Sequence, residues 1–202
     1  MKSNIDILLK KKSGIRLDIG CGQNKQSGFI GMDYAAYPDV DIVWNVEQFP
    51  WPLPDESVLL AVSSHLVEHL NPHPGDTRAE GLIKLLLYKK LISEKDIKEY
   101  IGEINPGPRF MRFMDEVWRV LKFDGEFAIG CPYATSHGMH QDPTHINFIN
   151  ETTWGYFDPL EPSQLYRVYH PKPWKIKFSA HQPNGNMEVV LIKRRLDPSY
   201  LQ

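Results

Sequence analysis

An apolar run closed by paired glycines, IRLDIGCG at residues 15–22, constrains this chain more than any other stretch. Ile15, Leu17 and Ile19 lie between Gly14 and the glycine turn, the pattern of a short buried strand. Gly20 and Gly22 let the backbone turn sharply and come close to a ligand, where a Cβ would clash. A second apolar segment, Phe29 to Met32 within GFIGMDY (28–34), then delivers a carboxylate, Asp33. In a parallel α/β sheet, ligands sit beyond the carboxyl ends of the strands. A carboxylate ending the neighbouring strand is placed to accept hydrogen bonds from a ribose diol, so the pair reads as a nucleoside-cofactor site. The spacing argues against a dinucleotide, whose fingerprint is G-x-G-x-x-G with an acid about 20 residues on. Here Lys25 stands at the third glycine, and Asp33 follows Gly22 too soon for a full helix.

The rest of the chain continues the α/β pattern. DIVWNV (41–46) reads as a third strand and VLLAVSS (58–64) as a central strand buried on both faces. Between them, the three prolines of QFPWPLPDES support neither strand nor helix. HLVEHL (65–70) starts a helix, with Glu68 and His69 read as helix-to-core polar contacts. Thr77 with Glu80, and Ser93 with Asp96, open two helices of an insertion at about 71–108, which could cap the substrate mouth or form a subunit contact. Phe110, Phe113, Met114, Val117 and Leu121 recur at helical spacing as a core stripe, with Asp115, Glu116, Arg119 and Lys122 toward water. Phe123-Asp124-Gly125 reads as a turn and Glu126 to Gly130 as a strand. The tail, 172–182 and 187–195 around Pro-Asn-Gly-Asn (183–186), is a hairpin whose Lys193-Arg194-Arg195 end is solvated.

With 202 residues, 42% hydrophobic and 24% charged, the chain has enough apolar material for one domain spanning 1–202. A net charge of −2 provides no field toward nucleic acid or anionic membrane, and no apolar run approaches a membrane span. The N-terminal IDILLKKK carries its lysines on the wrong side for a signal peptide and reads as a short amphipathic helix. Cys21 and Cys131, at two strand ends, need not pair, and a reduced cytoplasmic setting is expected.

The least usual stretch is ATSHGMHQDPTHINFINETTWGYFDP (134–159), where His137, His140, His145 and Asp142 fall at a strand's carboxyl end. Three readings stand. The four side chains are enough for zinc, although their spacing matches no standard zinc pattern and no metal is assigned. Asp142-Pro143-Thr144-His145 can equally be a capped turn leading to a helix at Glu151–Phe157. As a substrate loop, its histidines would supply a base near neutral pH, with Asp142 orienting one of them.

LDIGCG, a short loop and GFIGMDY together resemble the first two motifs of class I S-adenosylmethionine (SAM)-dependent methyltransferases. The likeness is to the small branch whose first helix is reduced to a loop. WNVEQFPWPLPDESVLLAVSSHLVEHL is similar to that family's adenine loop, its proline-rich turn, its strand ending in a small residue and His, and the Glu-His that follows. RVLKFDG is similar to the family's R-V-L-K-P-G-G turn before the fifth strand, with Phe123 for the proline and Asp124 for the first glycine. The branch also carries a D-P-T-H before an aromatic-rich segment. The resemblance covers most of 15–195 and leaves 71–108 outside.

It implies a Rossmann-like, doubly wound, mostly parallel seven-stranded sheet with an antiparallel C-terminal hairpin strand, and methyl transfer from SAM to an O or N atom of a small-molecule or sugar acceptor. By the resemblance, Asp18, Gly20 and Gly22 hold the methionine moiety, with Cys21 between the glycines. Asp33 takes the ribose hydroxyls with Tyr34 beside it, and Asn45 (commonly Asp in the family) and Val46 take adenine. Ser64 and His65 lie under the reactive methyl. For a hydroxyl acceptor, His140 or His145 takes the proton, with Asp142 as the orienting acid. The expected partner is a small molecule, with no membrane, nucleic acid not favoured, and a homo-oligomer conceivable through the insertion. Three rivals are a SAM-binding protein without transferase activity, a nucleotide- or polyamine-handling enzyme on the same fold, and a metal-dependent enzyme using His137, His140 and His145.

Overall fold

In a computed structural model, residues 14–70, 86, 88–91, 93 and 109–201 are described. The expected N-terminal helix, and nearly all of the insertion with its expected subunit contact, lie outside them. Strand β1 (Ile15–Ile19) sits between β2 (Ile30–Asp33) and β4 (Val58–Ser64), parallel to both. Strand β3 (Ile42–Val43) adds to the far side of β2, and β5 (Leu121–Pro132) runs parallel to β4. The tail hairpin closes the sheet, with β7 (Asn186–Lys193) antiparallel to β5 and β6 (Trp174–His181) on the edge. The order of the seven strands is therefore β3-β2-β1-β4-β5-β7-β6, the mostly parallel sheet with an antiparallel C-terminal hairpin that was expected. Strand order reverses between β1 and β4, and in open α/β sheets ligands bind beyond the carboxyl ends of the strands at such a point.

The core fills the sheet faces. Leu17, Ile19, Met32 and Ala61 are fully buried, and α1 (Arg109–Val120), packed on β5, adds Phe113, Met114, Val117 and Val120 to the same core. Ring contacts run from Trp51 through Phe113 and Phe127 to Trp174, at centroid separations of 5.6, 6.1 and 6.2 Å. These contacts tie α1 and β5 to the hairpin. Among the described residues no helix is long and apolar enough to cross a membrane.

Several elements differ from the reading of the sequence, each for a physical reason. Strand β3 keeps only two residues, because the Asn45 side chain accepts the Glu47 N–H at 2.9 Å and turns the chain. HLVEHL makes one 3₁₀ turn, Val67–His69, and Leu70 is already extended (φ −61°, ψ 127°). The Asn147 side chain donates to the Val67 and Leu70 carbonyls at 2.9 and 2.6 Å, occupying acceptors that a continuing helix would use. Strand β5 starts directly after α1, so the expected turn at 123–125 becomes an irregularity within it, with Asp124 at φ +57° and a register shift opposite Val58–Leu60.

Two charged residues expected in water are buried. Lys193 is 2% exposed, donates to the Leu121 carbonyl at 2.7 Å and lies 4.1 Å above the Trp118 ring. Burial pulls its pKa below the usual lysine range. Glu116 accepts the Trp51 N–H at 2.6 Å and pairs with Arg119 at 2.6 Å. Glu116→Ala leaves that buried N–H unpartnered, and urea denaturation should register a loss of about 2–3 kcal/mol. A loss below about 0.5 kcal/mol, the ordinary range for surface changes, would show that the contact contributes nothing.

Candidate functional site

The turn after β1 is docked on β2. Gly20 and Cys21 both donate their N–H to the Met32 carbonyl, at 2.8 and 3.3 Å. Gly22, at φ +53°, then directs its N–H to Asp33 Oδ2 at 2.9 Å, and the Ala35 N–H reaches Oδ1 at 2.9 Å. A Cβ on Gly22 would meet nothing within 4 Å, so the left-handed backbone, rather than crowding, is what calls for glycine. Asp33 is 6% exposed. Each of its oxygens takes one N–H and keeps a second lone pair, which is the capacity a vicinal diol requires. Tyr34, next in sequence, is largely exposed.

Asp18 works on the loop itself. It is buried, its Oδ2 accepts the Gln26 N–H at 2.8 Å, and desolvation holds its carboxyl above the ordinary carboxylate range. Burial, with the Asp18 and Asp33 charges, also pushes the Cys21 thiol up to about 11. That leaves it protonated and unreactive at neutral pH. Both cysteines are free and buried. In the expected adenine segment, Asn45 is exposed. Val46 is buried in the core, and its carbonyl accepts the Trp51 indole N–H at 3.0 Å.

The carboxyl end of β4 lies against this loop: a Cβ on Gly20 would come within 3.0 Å of the Leu66 side chain. Ser64 is exposed. His65 departs from the strand in a left-handed conformation (φ +53°), pinned by its N–H to the Gly130 carbonyl at 2.8 Å. Its Nδ1 stands 3.3 Å from Glu68 Oε1, and this pairing raises the imidazole pKa above its usual value. Beyond it, between β5 and the tip of the hairpin, opens a cleft of about 630 Å³. His65, Ser136, His137, Gln141, His145 and His181 line it, and among the described residues no Asp, Glu, Lys or Arg does.

The histidine-rich segment separates its members. Ser136 caps the short helix α2 (His137–Gln141) by accepting the Met139 N–H at 3.2 Å. His137 faces the cleft, whereas His140 is exposed, packs against Phe148 at 5.8 Å and does not line it. The Asp142–His145 turn is capped as one reading anticipated: Asp142 Oδ1 accepts the Thr144 N–H and hydroxyl at 2.8 and 2.7 Å. These bonds hold the Asp142 carboxyl below the usual carboxylate range. A helix, α3 (Glu151–Gly155), follows behind an Asn150 cap.

Reading the sequence did not pair this turn with the Glu68-His69 turn. The Glu68 carbonyl accepts the N–H groups of Ile146 and Asn147 at 2.9 and 3.1 Å. His69 Nδ1 lies 2.9 Å from Thr144 Oγ1, and the His69 and His145 rings meet edge-on at 4.5 Å. His145 Nε2 is 4.0 Å from Glu68 Oε1 and 3.8 Å from Asp142 Oδ2. Glu68, His69 and His145 can thus each offer a ligand atom within 4.8 Å of the other two. Among the described residues His137, His140 and His145 form no common ligand set. The one local signal was that E-H and D-P-T-H both follow strands whose carboxyl ends share an edge.

The sequence matches no family model and no curated protein. Solved structures do resemble it. A SAM-dependent methyltransferase from Archaeoglobus fulgidus is 16% identical with a TM-score of 0.54, over 94% of this chain and 90% of that one. The PH0226 protein from Pyrococcus horikoshii OT3 is 13% identical with a TM-score of 0.51, over 96% of this chain and 89% of that one. The CurJ carbon methyltransferase is 10% identical with a TM-score of 0.50, over 90% of this chain and 49% of that one. At such identities the likeness is one of fold: the chain has the α/β fold of SAM-dependent methyltransferases.

Proposed function

We propose that this chain is a class I SAM-dependent methyltransferase acting on an oxygen or nitrogen atom of a small polar acceptor. The observation that carries the reading is Asp33. It is a buried carboxylate at the end of β2, held against the Gly22 N–H at 2.9 Å near the point where strand order reverses. Asp33 would take the ribose hydroxyls, the 20–22 backbone would face the methionine moiety, and Asn45 would meet adenine.

SAM supplies a methyl group already made electrophilic by its sulfonium, so the protein's work is placement. Orientation alone can contribute about 7–11 kcal/mol to such a transfer. Leu66 touches the glycine loop and follows His65, which borders the cleft; this adjacency supports donor and acceptor meeting at the end of β4. The cleft wall of hydroxyl, amide and imidazole groups suits a hydroxylated or amine-bearing small molecule such as a sugar derivative. For a hydroxyl acceptor the proton must leave, and His65 is the imidazole best placed to take it. Glu68 lies 3.3 Å from its Nδ1, which leaves Nε2 for the acceptor. His145 turns its own Nε2 toward two carboxylates.

Titration calorimetry with S-adenosylhomocysteine tests the reading on the intact protein. Saturable one-to-one binding is expected, with a rise in melting temperature equivalent to about 2.7 kcal/mol at a hundred times Kd. No heat and no thermal shift would overturn it.

A further inference from the structure

We propose that Glu68, His69 and His145 bind one divalent first-row transition-metal ion, of the zinc class, beneath the acceptor cleft. The site stands apart from the donor loop and does not depend on the transferase reading. Two imidazoles and one carboxylate form a three-ligand set of the kind that leaves a further coordination position open. Ligand atoms around tetrahedral zinc stand about 3.3 Å apart at ordinary bond lengths. The three here lie within 4.8 Å of one another, so a bound ion would draw them together by up to about 1.5 Å.

Hydrogen bonding around the cluster prepares both histidines as ligands. Thr144 Oγ1 donates its single hydrogen to Asp142 Oδ1 at 2.7 Å. The same oxygen, 2.9 Å from His69 Nδ1, must therefore accept, which puts the His69 proton on Nδ1 and leaves the Nε2 lone pair to coordinate. In His145, Nδ1 faces the Met139 carbonyl at 3.2 Å, a group that only accepts, so in the neutral ring Nε2 carries the lone pair. A carboxylate or a backbone carbonyl holding the distal N–H is the outer-shell arrangement of metal-bound histidine.

Glu68 is the independent observation. It is fully buried; Oε1 has the His65 imidazole at 3.3 Å, and Oε2 has no hydrogen-bond donor among the described residues. An ionised carboxylate without donors is costly to bury unless a cation faces it. His65, at 3.3 Å from Oε1, covers one oxygen at ion-pair distance and leaves Oε2 without a partner. Imidazole-rich sites of this composition prefer zinc, cobalt, iron or nickel over magnesium or calcium. His145 and His65 also line the cleft, so an ion held here borders the space assigned to the acceptor.

The test uses the full chain, stripped with chelator and dialysed, then titrated with Co²⁺ and Zn²⁺. One Co²⁺ per chain is expected, with visible ligand-field absorption that one equivalent of Zn²⁺ abolishes. His69→Ala and His145→Ala should each weaken binding more than about 100-fold. Thr144→Val, which keeps all three ligands and removes the hydroxyl bridging His69 Nδ1 and Asp142, should weaken it by about 10–100-fold. The exposed double variant His137→Ala/His140→Ala should bind as the parent does. Far-UV circular dichroism checks that each variant is folded, and Thr144→Val keeps the test decisive if a ligand variant does not fold. Absence of stoichiometric binding overturns the site. So does undiminished binding in folded His69→Ala and His145→Ala, or loss confined to the His137/His140 variant. Titrating S-adenosylhomocysteine into the same samples separates the two readings, because metal binding without nucleoside binding would keep this site and remove the transferase.

Discussion

Asp33→Ala is expected to lower affinity for S-adenosylhomocysteine by about 10²–10⁴-fold. Two ribose hydroxyls donating to a buried carboxylate are hydrogen bonds to a charged group, each contributing about 1.5–3 kcal/mol. Together they account for a loss of that size. Alanine also removes the acceptors for the Gly22 and Ala35 N–H groups, so some of the effect could come from a displaced loop. Asp33→Asn separates the two contributions. It keeps one side-chain oxygen for the loop while replacing the other acceptor with a donor, and an intermediate loss of about 10–100-fold is expected. The Met32 carbonyl continues to hold Gly20 and Cys21 in both variants. Calorimetric affinities within twofold of the parent in Asp33→Ala would show that the nucleoside is bound elsewhere.

His65→Asn is expected to reduce turnover by about 10²–10⁴-fold, the usual contribution of a positioned general base. Asparagine suits the test because it tolerates the left-handed backbone at φ +53°, where alanine would add strain to the loss of the imidazole. Affinity for S-adenosylhomocysteine should stay within a few-fold of the parent, since a base acts on the acceptor's proton. The measurement is release of S-adenosylhomocysteine with an acceptor found among hydroxylated and amine-bearing small molecules. Unchanged turnover would exclude His65 as the base. An equal fall in turnover and nucleoside affinity would make it part of the donor site.

Local chemistry made much of this protein legible in its sequence. The strand at 15–19, its glycine turn, the carboxylate at 33, the strand at 58–64 and the hairpin around 183–186 all depend on residues within a few positions of one another. Apolar runs, left-handed glycines and turn residues are short-range signals, and they carried the strand pattern from which the sheet follows. The placement of Asp33 against the glycine loop was legible for the same reason, since only ten residues lie between Gly22 and Asp33.

Tertiary structure decided what rests on contacts between distant parts of the chain. Asn147 reaches back 77 positions to the Leu70 carbonyl, which turns an expected helix into a single turn. Lys193 leaves water for the Leu121 carbonyl 72 positions away, and Glu116 finds the Trp51 N–H 65 positions away. The meeting of Glu68 and His69 with Thr144 and His145 belongs to the same class, as does the parting of His140 from His145 across one short helix. Periodicity and turn chemistry report on neighbours in sequence. Which polar groups share a buried space depends on how the layers close over them, and that is set only when the sheet is complete.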